Sequence, residues 1–195
     1  MDRQLYYNAL KDRLEPNILN HSLALEACML GIYDYLKSQN QLPDSEPTRQ
    51  EWGMAGLIHD IDFSLDTKEL HPARTREVAA LYNLEVSDIV YELIQDHDAR
   101  SGKQPRTKAG WAIRCADSLT GLITAVAFVY PSRKLADVKT SSVLKRFLKE
   151  PRFAAGTRRD EVILCEKEDG LNIKIDKFIE ICLQSMQKIA PELGL

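Results

Sequence analysis

The chain of 195 residues contains four histidines: His21, His59, His71 and His97. His59 ends an apolar run, Ala55-Gly56-Leu57-Ile58-His59-Asp60-Ile61-Asp62, in which an imidazole stands beside a carboxylate. Another carboxylate, Asp117, lies inside the apolar segment from Trp111 to Ile123. Imidazole nitrogen and carboxylate oxygen on rigid elements are the ligands that a hard or borderline divalent cation takes. An ionised Asp117 among Ile113, Cys115, Ala116 and Leu119 would cost several kcal/mol if buried alone, so a metal, an Arg or a His must offset it. Taken singly, each residue has a plainer reading. Asp117 pairs with Arg114 or faces solvent, His21 is a helix histidine bonded to a backbone carbonyl, and His59-Asp60 is a chance dipeptide, as His97-Asp98 shows. Together they point to a metal site assembled by folding.

The elements that must position these residues are helical. Residues 2–14 form a short helix, and Asn17 caps a longer one with apolar residues from Ile18 to Leu36. Residues 38–47 are a polar loop with two prolines. Thr48-Arg49-Gln50-Glu51 is a capping box for a helix that carries His59 and Asp60 at its end. A charged loop at 61–70 precedes a helix from Pro72 to Tyr82, and Ser87 caps another running to Asp96. After a loop at 101–105 comes the longest apolar helix, 107–129, with Asp117 at its middle. A connector at 131–140 leads to three helices, 141–149, 158–168 (capped by Thr157) and 173–189, whose apolar residues recur at helical spacing. No stretch alternates with the period of a strand. The fold expected is all-α: one domain over 1–195, with a core at 17–130 and a C-terminal helical extension at 131–195.

Composition narrows the partners. A net charge of −3 with both signs interspersed gives no footprint for nucleic acid. The apolar stretch from Leu119 to Tyr130 is too short for a bilayer span, so no membrane is expected. The four cysteines (Cys28, Cys115, Cys165, Cys182) are far apart and read as buried structural thiols. The residues from Met1 to Leu5 do not begin a secretory leader, and a cytoplasmic location is expected. A homodimer contact through the C-terminal helices is compatible with the sequence but not selected by it.

The order His21, His59-Asp60, Asp117 on a helical chain resembles the HD superfamily of metal-dependent phosphohydrolases, over about residues 17–130. Leu57-Ile58-His59-Asp60-Ile61-Asp62 looks like the HDIG signature of that superfamily, with Asp62 where the pattern has glycine. The strings Ala116-Asp117-Ser118-Leu119-Thr120-Gly121, Leu135-Ala136-Asp137-Val138-Lys139 and Phe153-Ala154-Ala155-Gly156 also resemble a group of small, stand-alone HD hydrolases. The resemblance implies that His21, His59, Asp60 and Asp117 are metal ligands. It further implies that His71 and His97 hold a second ion, with Asp60 bridging the two. The Gly-Tyr-Pro element of cyclic-di-GMP phosphodiesterases is absent, so a cyclic dinucleotide is not the expected substrate.

What the resemblance implies is hydrolysis of a phosphate ester, with a nucleotide or other small phosphorylated metabolite as substrate. One or two divalent ions, whose identity among Mn, Fe, Co, Ni, Zn and Mg is open, would acidify water and offset charge on the phosphoryl group. Asp60 bridges. Asp62 and Asp98 are candidates to orient or deprotonate water, or to hydrogen-bond a ligand imidazole. Arg74, Lys103, Arg106, Arg133 and Lys134 are candidate phosphate contacts. The same ligands would serve a di-iron oxygenase of HD type, and a non-catalytic nucleotide-binding regulatory domain is the third reading.

Overall fold

The computed structural model describes residues 2–64 and 66–195. Met1, where the stretch read for a leader begins, and Leu65, in the loop expected at 61–70, lie outside the described residues. The described residues form ten α-helices and no strand, as the all-α expectation required. They are α1 (Arg3–Arg13), α2 (Pro16–Ser38), α3 (Arg49–Ile58), α4 (Thr75–Ala80), α5 (Asp88–Asp96), α6 (Lys108–Val129), α7 (Thr140–Lys149), α8 (Arg159–Val162), α9 (Ile175–Lys188) and α10 (Ala190–Leu193), with short 3₁₀ turns at 68–70, 99–101, 135–137 and 163–166.

Helix starts follow local chemistry. Glu51 Oε2 accepts from the Thr48 N–H at 2.7 Å while Thr48 Oγ1 accepts from the Glu51 N–H at 3.3 Å, completing the capping box of α3. Ser87 and Thr107 cap α5 and α6 through their hydroxyls alone, which accept from the Val90 and Gly110 N–H. Elsewhere the expectation shifts. Pro16, not a residue after Asn17, takes the first position of α2, where its missing N–H costs nothing and its φ is already helical. The helix expected at 72–82 is confined to α4, because the Asp62 carboxylate and the Pro72 carbonyl hold Arg74 N and Thr75 Oγ1 in a turn before it. Thr157 does not cap α8. Arg158 occupies that position without a side-chain cap, and the segment tightens to 3₁₀ after Val162.

α2 and α6 are central. α2 packs against α3, α6 and α9, and the cluster of buried apolar side chains runs continuously from Tyr6 to Leu193. A helix that is apolar on most faces must be enclosed by others; Leu25, Cys28, Met29 and Ile32 of α2 are fully buried. α6, at 22 residues, extends beyond the apolar stretch read from Leu119 and is long and apolar enough to cross a bilayer by length and composition. Its apolar side chains are mostly buried within the fold, which accounts for its composition. All four cysteines are buried and free, and burial pushes the Cys165 thiol up to about 12.

One close approach sets the geometry of the site. Gly56 of α3 lies against the backbone of Glu26 and Leu25 in α2. These two helices carry His59 and His21.

Candidate metal centre

α3 and α5 each end in a histidine at the C-cap: His59 and His97. Each ring turns back on its own helix. His59 Nδ1 donates to the Gly56 carbonyl at 2.9 Å, and His97 Nδ1 to the Ile94 carbonyl. Carbonyls in the last turn of a helix are short of intrahelical partners and accept such bonds readily. The bonds fix the tautomer, leaving each Nε2 as an unprotonated lone pair. Both helices also point the negative ends of their dipoles toward the site, which favours a cation there.

The other two histidines are set the same way by tertiary partners. His21 Nδ1 donates to Thr120 Oγ1 at 2.8 Å, and that hydroxyl donates to the Asp117 carbonyl at 2.7 Å. His71 Nδ1 donates to Asp62 Oδ1 at 2.6 Å. All four Nε2 atoms therefore face one another. His21 and His59 Nε2 lie 3.2 Å apart, His71 and His97 Nε2 2.9 Å apart. Opposed lone pairs at these separations repel unless a proton or a cation lies between them.

The carboxylates complete two groups. Asp117 Oδ1 lies 2.9 Å from His21 Nε2 and 3.9 Å from His59 Nε2. Asp60 stands between the groups, with Oδ2 at 3.3 Å from His59 Nε2 and Oδ1 at 3.3 Å from His71 Nε2. His21, His59 and Asp117 form one set of converging ligand atoms, and Asp60, His71 and His97 the other. Ligands about 2.0–2.2 Å from a shared ion sit roughly 3–3.5 Å from each other, and most of the separations here lie close to that, with His59 to Asp117 longer at 3.9 Å. The donor set fits a divalent ion in each group, with Asp60 offering one oxygen to each.

Charge in the site follows from burial and these contacts. Burial favours the neutral form of His97, and the His59 imidazole adds to it, taking its pKa down to about 4. His97 is thus neutral, as a ligand must be. Burial also works to lower His21, but the hydrogen bond and charge of Asp117 prevail and raise it. For Asp60 and Asp117 burial opposes ionisation, yet the surrounding imidazoles hold both carboxyls well below the ordinary range.

Asp62 supports the site from behind. It is fully buried; Oδ1 is taken by His71 and Oδ2 by the Arg74 N–H at 3.0 Å. Both oxygens are thus engaged behind the His71 ring, and burial keeps the carboxylate from solvent, a place that suits it to orient that imidazole. Asp62→Ala is expected to lower metal affinity at the His71–His97 group by about 10–100-fold, the usual effect of losing such a support; isothermal titration with Mn²⁺ measures it, and unchanged affinity would refute the assignment.

The Asp98 carboxylate accepts from Arg100 Nε at 2.7 Å and from the Arg100 N–H at 3.1 Å, capping the turn at 99–101, with no hydrogen bond to an imidazole among the described residues. A side chain two residues away in a tight turn outcompetes a ring that is already bonded to Ile94. Arg114 is likewise not the partner of Asp117, since it donates to the carbonyls of Asp96 and Lys103. The partner is Arg158, whose Nη2 lies 2.5 Å from Asp117 Oδ2.

Of the expected phosphate contacts, Arg74 is paired with Glu77, and Arg133 and Lys134 follow the far end of α6, about 18 Å along the axis from Asp117 at 1.5 Å per residue. The guanidiniums beside the site are instead Arg158 and Arg100, the latter donating to the His71 carbonyl at 3.0 Å. Arg13 is a third missed residue. It reaches from α1 to the Ile61 carbonyl at 3.1 Å, to Ser64 Oγ at 2.7 Å and to Thr67 Oγ1 at 3.1 Å, fastening the loop that holds Asp62. Nothing local in the sequence marks Arg13 or Arg100; Arg158 follows the noted string Phe153-Ala154-Ala155-Gly156, which was the available signal. No family model, curated protein or solved structure matches this chain, so the site rests on its own geometry and on buried His/Asp groups that could hold metal.

Proposed function

We propose that the protein is a metal-dependent phosphohydrolase of HD type, acting on a small phosphorylated metabolite with two divalent ions. The observation that carries the reading is the convergence of four Nε2 atoms on two groups joined by the oxygens of Asp60. Bound there, the ions supply Lewis acidity toward a phosphoryl oxygen and acidify water.

The chain's own residues do the rest. His21, His59 and Asp117 would hold one ion and His71, His97 and Asp60 the other, with Asp60 common to both. Thr120, Gly56, Asp62 and Ile94 keep the four Nδ1 protons directed away from the centre, so no ligand nitrogen is lost to the wrong tautomer. Two divalent ions would carry more positive charge than Asp60, Asp62 and Asp117 carry negative, while Arg158 and Arg100 are offset by Glu161 and Asp98. The net positive centre suits an anionic ester over a neutral or cationic substrate.

The first test is elemental analysis of protein purified without chelator or affinity metal, expressed as ions per chain, together with phosphate release from p-nitrophenyl phosphate. About two ions and metal-dependent release are expected. Predominantly iron with an oxygen-dependent spectrum would favour the oxygenase instead. No ions after soaking with Mn²⁺ would overturn the reading. His97→Ala is expected to reduce the count by one ion per chain, leaving the group at Asp117 intact; an unchanged count would exclude His97 as a ligand.

A further inference from the structure

A cavity of about 330 Å³ opens beside the His21–Asp117 half of the centre, and Ser118, Gly121, Gly156 and Arg158 are among the residues that line it. At two of these positions a Cβ would touch nothing. A Cβ built at Gly121 or at Gly156 finds no heavy atom within 4 Å. Gly121 lies in the interior of α6 and is exposed, a place where glycine costs about 0.5–1 kcal/mol relative to alanine. Packing gives no reason for that cost, because no neighbour crowds it. A reason exists if the space above it must be kept for a ligand.

Arg158 forms the charged wall. Its Nη2 is held by Asp117 and its Nε by Glu161 Oε2 at 2.9 Å, so two carboxylates fix the guanidinium while Nη1 remains for a ligand. The side chain is still 46% exposed. Guanidinium geometry matches phosphate oxygens in particular.

Resting on the phosphohydrolase reading, we propose that this cavity is the substrate pocket, that Arg158 grips the phosphate of a compact phosphomonoester, and that the organic group lies over Gly121 and Gly156. The volume is at the small end of ligand sites, which run from about 300 to 1,000 Å³. A nucleoside or sugar group suits it and a dinucleotide does not.

Calorimetric titration of the full-length, metal-restored protein tests this without turnover, using inorganic phosphate and the non-hydrolysable ester analogue phenylphosphonate. Arg158→Lys should weaken both by at least about 10-fold, since Lys keeps the charge beside Asp117 but not the fork. Gly121→Leu should weaken phenylphosphonate by at least about 10-fold and inorganic phosphate by much less, with Gly121→Ala between the parent and Gly121→Leu for phenylphosphonate, because the added volume falls where the organic group lies. Ions per chain are counted for every variant; should Arg158→Lys lose metal, the Gly121 pair decides. Phenylphosphonate binding undiminished in Gly121→Leu would overturn the pocket while leaving the phosphohydrolase reading in place. A parent protein that binds two ions but neither probe would overturn both.

Discussion

Asp60→Ala is expected to leave no more than one ion per chain and to lower phosphate release by a factor of the order of 10³ or more, the equivalent of the several kcal/mol that a metal ion contributes to such a transition state. The argument is geometric. Without Asp60, His71 and His97 are the only remaining members of their group, and two imidazoles do not make a stable site for a divalent ion. The other group retains His21, His59 and Asp117. Removing Asp60 also removes the charge that sits between His59 and His71 at 3.3 Å from each. Metal content of the purified variant decides the point. Two ions per chain in Asp60→Ala would show that the carboxylate does not bridge.

Gly56→Ala is expected to damage stability and the metal site together. The added Cβ would lie 3.0 Å from Glu26 Cα, Glu26 N and Leu25 C, all backbone atoms that cannot turn aside. α2 and α3 must then separate, at a cost of about 1–3 kcal/mol for overpacking. At about 2–4 °C per kcal/mol for a chain of this size, Tm should fall by several degrees. Because the Gly56 carbonyl holds His59 and α2 carries His21, the same displacement pulls the two Nε2 atoms apart. Weaker metal binding should therefore accompany the lower Tm. Gly121→Ala is the control, expected to raise stability by about 0.5–1 kcal/mol since its Cβ meets nothing. Thermal melts of the two variants, with and without Mn²⁺, separate these outcomes. A Gly56→Ala protein that melts with the parent would refute the close approach.

What was legible in the sequence was whatever depends on short-range chemistry. Helical period, the capping box at Thr48 and the caps at Ser87 and Thr107 act within a few residues, so the all-α class and most helix bounds followed from the residues alone. The ligand types were legible too, because a chain with four histidines and one carboxylate inside an apolar helix offers few alternatives for a metal. The roles of the neighbouring carboxylates were not. Asp62 and Asp98 each stand next to or near a ligand in the chain, yet one is locked behind His71 and the other is turned to Arg100. Sequence distance cannot tell them apart, since the choice depends on what a different element brings within 3 Å. The cations show the same limit. Arg158 reaches Asp117 across 41 positions and Arg13 reaches the loop at 61–67 across about 50. Side-chain identity by itself decided that this chain carries residue types that could hold a metal; only tertiary packing, through the contact of Gly56 with α2 and the bonds that turn every Nδ1 outward, decided that these residues meet in two groups with Asp60 between them.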